Sequence, residues 1–367
     1  MISSNIEFDF DDILIVPAVS SDIISRYKNI ELPQRMPLFT APMDTVVNLK
    51  NAELFLKNGI NVALPRTITH NDFINKIKHY ESSSMFISMG FETLNVLLKN
   101  GLKELHLNAN ILIDTANGHM EKIADYCRDI KYLRPDIVIM VGNIANPETY
   151  TWYAKQNCVN LIRVGIGNGG GCLTTKQSGV GHPMASLIHE VYLAKQKFIE
   201  SNNIDIKYQY SLVHTKPVDV VPAIVADGGM KDYADIIKAL ALGADFVMIG
   251  SIFNKTLESS ADNYLYKIKL NKKLANYFFN KGYPVKKYFR GMSTKEAQKA
   301  MGKTQIKTSE GVIRYRKVEY HLDGWVENFQ HYLRNAMSYT NAKTLDEFIG
   351  KVNICQISKN AYDRFNK

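Results

Sequence analysis

Eight short apolar runs recur along the chain and constrain its fold more than any other feature. None of them alternates apolar with polar residues, which indicates strands buried on both faces, as in a parallel sheet. The runs are MPLFTAPM (36–43), NVALP (61–65), MFISMG (85–90), NILIDTA (110–116), IVIMVGN (137–143), LIRVGI (161–166), AIVADGG (223–229) and FVMIGS (246–251).

Segments with helical spacing separate most of these runs, among them ETLNVLLKNGL, MEKIADYCRDI, PETYTWYAKQN and KDYADIIKALALGA. Pro147 fits the first turn of a helix and Gly243 a helix end. Strands alternating with helices predict an α/β fold, a (β/α)8 TIM barrel, with residues 1–367 as a single catalytic domain. A doubly wound open sheet is the alternative, but the first run ends in APMDTV where that fold needs a glycine fingerprint.

Composition limits the class of protein. Hydrophobic residues make up 46% of the chain, enough for a full core, and no apolar run is long enough to span a membrane. The first residues, MISSNIEFDFDD, lack the pattern of a signal peptide, so we expect a cytoplasmic protein with no membrane partner. The net charge of +9 is spread along the chain, as on a solvated surface, and is compatible with anionic substrates. The absence of a nucleic-acid motif predicts no nucleic-acid partner.

The four cysteines lack the spacing of a zinc site and the density of a disulfide scaffold. Cys127, Cys158 and Cys355 are predicted to be packing thiols. Cys172 differs, because it lies in the glycine-rich stretch GIGNGGGCLTTKQSGVGH (165–182), which offers little core to pack against. Glycines let a backbone approach a ligand closely, and a thiol in such a loop becomes a nucleophile when its thiolate is stabilised.

Two stretches exceed ordinary loop length, from Gly167 to about Pro183 and from about residue 254 to residue 323. Long connections in compact domains are usually functional. We therefore expect 254–323 to be a long active-site segment between the eighth strand and the helix GWVENFQHYLRNAM.

Polar residues gather where the predicted strands end, which is the face that carries catalysis in TIM barrels. They are Met43 with Asp44, Asp114 with Asn117, Gly142 with Asn143, the Cys172 loop, Asp227 to Gly229, and Gly250 with Ser251. Asp-Gly-Gly after the seventh run and Gly-Ser after the eighth expose backbone N–H groups, a pattern that binds phosphate. A phosphorylated small molecule is the predicted ligand; the alternative is glycines that serve only tight turns.

These motifs together resemble the IMP dehydrogenase and GMP reductase family over nearly the whole chain. The matching segments, in family order, are FDFDDILIVPA, APMDTV, DTANGH, VGN, GIGNGGGCLTT, SGVGHP, ADGG, GADFVMIGS, FRGMS, SEG and LRNAMSYTNA. The resemblance implies a TIM barrel, in agreement with the strand count. It also implies a purine nucleotide monophosphate as substrate and a homotetramer as the assembly.

The resemblance further implies residue roles. Cys172 would attack C2 of the purine, while Thr174 and Glu310 would form the dyad that protonates leaving ammonia. The remaining roles fall to three sets. The residues that would bind the substrate are Met43, Gly170, Asp227, Gly228, Gly229, Gly250, Ser251, Gly291, Met292 and Ser293. The residues that would contact the nicotinamide cofactor are Asp114, Thr115, Asn117 and Asn143. The backbone carbonyls of Gly167, Gly169 and Cys172 would hold a monovalent cation such as K+.

Among the two family activities, several features resemble the reductase, which takes GMP and NADPH to IMP and ammonia. The short connection from Pro65 to Met85 leaves no room for the regulatory CBS insert of dehydrogenases. The segment STKEAQKAMGKTQIKT lacks the Arg-Tyr pair of the dehydrogenase flap. DTANG and KTSEG resemble the reductase forms, and Phe289 stands where dehydrogenases have a phosphate-binding tyrosine.

Other features depart from the family pattern. Asn168 replaces a proline, Gly170 replaces a serine that contacts phosphate, and Arg290 resembles the dehydrogenase form. Arg314-Tyr315 supplies an Arg-Tyr pair at an unusual place. The alternatives are thus an IMP dehydrogenase lacking the CBS domain and using NAD, a related enzyme acting on a deoxy or modified purine nucleotide, and a nucleotide-binding barrel without activity.

Overall fold

The eight predicted strands all form, and they belong to one parallel sheet. The computed structural model describes residues 6–68, 84–103, 105, 110–204, 221–302, 305–306 and 311–365. In chain order the strands are β1 (Ile13–Ile15), β2 (Leu38–Thr40), β3 (Val62–Leu64), β4 (Met85–Met89), β5 (Asn110–Asp114), β6 (Ile139–Ile144), β7 (Leu161–Val164), β8 (Ala223–Asp227), β9 (Phe246–Ile249), β10 (Asn263–Leu265), β11 (Ile268–Leu270), β12 (Lys286–Arg290), β13 (Ile313–Lys317) and β14 (Ile354–Gln356).

The parallel sheet closes on itself. Its strand order is β2-β9-β8-β7-β6-β5-β4-β3, so β2 and β3 are its two end strands. The Thr40 N–H donates to the Asn61 carbonyl at 2.9 Å, and Phe39 bridges Asn61 in parallel register, which joins those ends. The predicted TIM barrel is confirmed.

Continuous apolar strands follow from burial on both faces of this sheet. Along β5, Leu112 belongs to the cluster inside the barrel, while Ile111 and Ile113 belong to the core between strands and helices. Met140 of β6 likewise faces inward. The barrel interior is therefore a packed core and not a channel.

Helices follow the barrel strands at the predicted places, and further short helices lie in the connecting and terminal segments. They are α1 (Ala52–Lys57), α2 (Phe91–Lys99), α3 (Lys122–Leu133), α4 (Pro147–Gln156), α5 (Thr174–Ser178), α6 (Met184–Ser201), α7 (Tyr233–Ala241), α8 (Ser251–Asn254), α9 (Lys272–Asn280), α10 (Lys295–Ala300), α11 (Leu322–Tyr339), α12 (Leu345–Phe348) and α13 (Lys359–Phe365). Pro147 begins α4, and the Asn146 side chain caps it by accepting from the Glu148 N–H. Gly243 follows the end of α7 with φ +110°. No helix within the described ranges is both long and apolar enough to cross a bilayer.

The segment 254–323 is more structured than a long loop. It contains β10 to β13, which form an antiparallel sheet in the order β11-β10-β12-β13. Leu257, Leu270, Ala275, Val285 and Val318 form its own small apolar core. The sequence-based reading of this stretch as a long loop missed that sheet, because its strands are short and partly polar.

The two ends of the described chain meet. β1 pairs antiparallel with β14, with Leu14 opposite Cys355. Cys355 is exposed, so the expectation that it is a packing thiol is wrong. Successive side chains of a strand point to opposite faces, so in a two-stranded ribbon every second side chain faces solvent. Cys127 and Cys158 are buried as predicted.

Candidate functional site

The Cys172 thiol lies in the loop between β7 and α5. Its Sγ is 3.2 Å from the Thr174 hydroxyl oxygen, and either atom can be the donor. The Cys172 N–H donates to the Gly169 carbonyl at 2.9 Å, which folds the loop into a tight turn. Cys172 is partly buried and is a free thiol. The structure therefore joins two of the three predicted catalytic residues.

The Asp-Gly-Gly turn after β8 packs against this loop. Gly228 has φ +96°, and a Cβ on it would lie 3.0 Å from the Gly169 backbone nitrogen. A side chain at residue 228 would thus collide with the backbone of the cysteine loop. The glycine is explained by this close approach, and the approach brings the predicted phosphate turn beside Cys172.

Residues from β2 and β9 complete this side of the site. Gly250 precedes α8, and a Cβ on it would lie 3.0 Å from the Met43 Sδ. A Cβ on Gly170 would lie 3.8 Å from the Ser251 Cβ. Met43, Gly170, Gly250 and Ser251 therefore converge, as the sequence predicted for a substrate pocket.

The segment 254–323 reaches the same loop from the other side. The Val312 N–H donates to the Gly171 carbonyl at 3.2 Å, and Cys172 forms an antiparallel bridge with Gly311. The Gly291 N–H donates to the Val312 carbonyl at 3.1 Å. Met292 and Ser293 follow directly and are partly buried. Glu310 precedes Gly311 in the sequence but lies outside the described residues.

A buried guanidinium links two carboxylates at the mouth of the barrel. Arg163 of β7 is 3% exposed and lies between Asp114 of β5, at 2.6 Å, and Asp227 of β8, at 3.6 Å. Arg66 also contacts Asp114, at 3.0 Å. Burial alone would raise the pKa of Asp114, but the charges of Arg163 and Arg66 outweigh burial and hold that pKa below its usual value.

Asp227 behaves differently from Asp114. Burial raises the pKa of its carboxyl group, and the partial contacts with Arg163 and Asn143 do not cancel that effect. The Asn143 side-chain amide donates to the Asp227 carboxylate and to the Gly165 carbonyl, each at 2.8 Å. The two carboxyl groups are thus differentiated by their surroundings, with Asp114 the more firmly ionised.

The predicted nicotinamide residues lie together at the ends of β5 and β6. The Thr115 hydroxyl contacts the Asn117 and Gly142 carbonyl oxygens, each at 3.1 Å. Asn117 is exposed, and its side-chain oxygen accepts from the His119 N–H at 3.0 Å. The residues predicted to contact nicotinamide are thus brought together, with an exposed amide beside a hydroxyl.

Two arrangements could hold a cation. The predicted one uses the carbonyls of Gly167, Gly169 and Cys172, of which the Gly169 carbonyl already accepts from the Cys172 N–H. A second arrangement, which the sequence did not predict, is Glu7, His182 and Glu190, whose ligand atoms lie within 4.8 Å of one another.

Sequence reasoning missed several charged groups of the site. Arg163 carried a visible signal, since it is the one charged residue within the run LIRVGI. Arg66 and Arg316 carried none. Arg290 pairs with Asp44, which ties β12 to the end of β2.

Comparisons with known proteins match the chain to one family. The family model described as IMP dehydrogenase / GMP reductase domain matches residues 7–364. A GMP reductase of Phytophthora infestans is 25% identical over 384 residues, covering 100% of this chain and 95% of that protein. A GMP reductase of Staphylococcus carnosus is 27% identical, covering 92% of this chain and 93% of that protein. An inosine-5′-monophosphate dehydrogenase of Chlorobaculum tepidum is 30% identical over 65% of this chain and 43% of that protein.

A family match over nearly the whole chain, a closed (β/α)8 barrel and a cysteine loop that meets the predicted phosphate turn lead to one conclusion. The chain belongs to the IMP dehydrogenase / GMP reductase family, whose members are oxidoreductases of purine nucleotides.

Proposed function

We propose that this protein is a GMP reductase, which converts GMP to IMP and ammonia with NADPH. The observation that carries the proposal is the surroundings of Cys172. Its Sγ lies 3.2 Å from the Thr174 hydroxyl, and its backbone bridges Gly311, the residue that follows Glu310. A nucleophile beside a hydroxyl supplies two of the groups that displacement of an amine requires, and we propose the carboxyl group of Glu310 as the third.

The first half of the reaction is displacement of ammonia. The Cys172 thiolate forms a bond to C2 of the purine, and Thr174 with Glu310 delivers a proton to the C2 amino group. The C2–N bond then breaks, ammonia leaves, and a thioimidate joins Cys172 to the base. Protonation in the transition state is worth roughly 10²–10⁴-fold in rate.

The second half removes the covalent bond. Bound NADPH supplies the hydride that C2 receives. The C2–S bond breaks and returns the thiolate of Cys172 together with IMP. Thr115, Asn117 and Asn143 line the ends of β5 and β6, where they can orient the carboxamide, while Asp114 is held rigidly by Arg163 and Arg66.

Two groups of residues line the proposed substrate pocket. One group is Met43, Gly170, Gly250 and Ser251, and the other is the turn Asp227–Gly229 with the segment Gly291–Ser293. Backbone N–H groups of the glycines suit a 5′-phosphate. A carboxylate repels phosphate and accepts hydrogen bonds from hydroxyl groups, so Asp227 suits the ribose.

One structural feature favours the reductase over the dehydrogenase alternative. Arg314 and Tyr315 lie within β13, paired with Phe289 and Tyr288 of β12. Tyr315 also packs edge-on against Tyr264, at 5.2 Å between ring centroids. A residue pair fixed in a sheet is poorly placed to act as a mobile flap over the covalent intermediate.

The proposal extends to properties that the resemblance implies. They are a homotetrameric assembly, a cytoplasmic location, and a monovalent cation such as K+ on the carbonyls of Gly167, Gly169 and Cys172. The single-domain organisation, with 254–323 as the active-site segment, is part of the same proposal. The preference for NADPH over NADH belongs to it as well.

The test is release of ammonia from GMP, measured together with IMP by chromatography. We expect both products in equal amounts with NADPH, and neither with the Cys172→Ala variant. Ammonia release from the variant at the wild-type rate would contradict the role of Cys172. Replacing GMP with its deoxy form tests the alternative of a different purine substrate.

A further inference from the structure

The guanidinium of Arg316 occupies an unusual position beside the substrate pocket. It lies over the ring of Phe289, 4.0 Å from the ring centroid. Its Nη2 would be 3.2 Å from a Cβ on Gly170, and the same Cβ would be 3.8 Å from the Cβ of Ser251. The guanidinium therefore points to the place where the cysteine loop meets the start of α8.

The cation has little to neutralise it there. The Arg316 backbone pairs with Lys287 of β12, but within the part of the chain that the structure describes no side-chain hydrogen bond or ion pair joins its guanidinium to another residue. Glu319, the nearby acid, is paired with Lys255 at 3.0 Å. Burial and the charge of Arg314 lower the pKa of Arg316, as expected for a partly desolvated cation without a partner.

The position of this guanidinium, and not the backbone conformation of residue 170, explains why residue 170 is a glycine. Its φ is not in the left-handed region, unlike those of Gly167 and Gly228. A serine at residue 170 is therefore allowed by backbone conformation, but its Cβ would crowd the Arg316 Nη2. A larger side chain at residue 170 and the Arg316 guanidinium would compete for the same space, so the glycine makes room for the arginine.

A hydroxyl group that the family resemblance predicts at this place is missing, because Gly170 stands in place of a phosphate-contacting serine. Phe289 stands where the dehydrogenases of the family have a phosphate-binding tyrosine. The Phe289 Cζ, the atom that carries the hydroxyl in tyrosine, would be 3.2 Å from a Cβ on Gly171. Arg316 stacks on the face of the Phe289 ring and abuts Gly170, so its guanidinium lies beside the place where a serine side chain at residue 170 would lie.

We propose that Arg316 is a ligand of the substrate's 5′-phosphate and replaces the serine hydroxyl that Gly170 lacks. A guanidinium presents paired N–H donors that match phosphate oxygens, and the Phe289 ring holds its plane. The proposal rests on the proposed function only in naming a nucleotide; it requires an anion at this place whichever reaction the site performs.

The experiment is calorimetric titration of the full chain with inorganic phosphate, GMP and guanosine. For Arg316→Ala we expect affinity for GMP and phosphate to fall about 10- to 100-fold, because a hydrogen-bonded charge pair is lost, while guanosine binds as before. Lys317→Ala is the matched control, since it removes one positive charge from the neighbouring exposed residue of β13. It should change none of the three affinities.

A rescue variant tests the exchange between Gly170 and Arg316. Gly170→Ser alone should weaken GMP binding, because its side chain displaces the guanidinium. In the Arg316→Ala background the same serine has room and should recover part of the affinity. Arg316→Lys, which keeps charge without the stacked plane, should bind with intermediate strength.

Two results would overturn the proposal. One is wild-type affinity for GMP in Arg316→Ala, with the variant altered only in its thermal stability. The other is equal affinity of the wild-type protein for GMP and guanosine. Phosphate-dependent binding without turnover of GMP would instead contradict the proposed reaction and leave the assignment of Arg316 intact.

Discussion

At the scale of single residues, the site depends on which side chains meet Cys172. Thr174 lies two residues away in sequence, at the start of the short helix α5, and this placement brings its hydroxyl to the thiol. The sequence was sufficient to predict that pair through a family motif. It could not predict Arg316, because the contact with Gly170 joins residues far apart in the chain.

The Thr174 hydroxyl provides the first prediction. Thr174→Val keeps the shape of the side chain and removes the hydroxyl, so proton delivery to the leaving amine should fail. We expect kcat with GMP to fall roughly 100-fold with little change in KM. Gln177→Ala, an exposed change in the same helix, is the control and should leave kcat unaltered. A Thr174→Val enzyme as fast as the control would exclude the dyad.

At the scale of elements, all eight barrel strands could be predicted, because burial on both faces forces each to be continuously apolar. The antiparallel sheet of 254–323 could not, since β10 and β11 have only three residues each, one of which is polar in either strand. β13 is almost wholly exposed and reads as a polar loop. Its position depends on pairing with β12, which no local pattern encodes.

Arg163 ties three barrel strands together, and its removal gives the second prediction. Arg163→Met would leave Asp114 and Asp227 close together without their shared cation. Breaking such a buried pair costs about 3–5 kcal/mol in the free energy of unfolding. Arg128→Met removes an exposed pair with Asp125 and should cost at most about 1 kcal/mol. Urea unfolding measures both; equal losses would show that the buried network is not stabilising.

Lys287 of β12 gives a pH-dependent prediction for the sheet of the active-site segment. Its ammonium group is fully buried and donates to the carbonyls of Ser259 and Ala261, at 2.9 and 3.1 Å. Burial, with a smaller effect of Lys272, lowers its pKa from 10.5 to about 7. The folded state then binds fewer protons than the unfolded state between those values, so stability rises with pH across that window.

The measurement is urea unfolding of the wild-type protein and of Lys287→Met from about pH 5 to about pH 10, which spans both pKa values. The stability difference between them should shift in favour of the wild type as pH rises, by at most about 1.4 kcal/mol per pH unit. Below the folded-state pKa the difference should become constant. Parallel curves over the whole range would mean that the buried amine titrates normally.

At the scale of the whole molecule, the fold and the family follow from the order of motifs. The reaction depends on groups that the fold assembles from separate segments, including the Gly228 turn, the Gly311 bridge and Arg316. The homotetramer is the prediction at this scale. Light scattering should give four times the mass of the 41.6 kDa chain under the conditions of the activity assay. A fully active monomer would contradict that assembly.

The most direct test of the proposed function is the nicotinamide absorbance in two parallel reactions, one with NADPH and GMP and one with NAD and IMP. We expect the absorbance to fall in the first reaction and to stay constant in the second, and we expect Cys172→Ala to abolish the fall. A rise in the second reaction, with none of the expected loss in the first, would identify a dehydrogenase and contradict the proposed function.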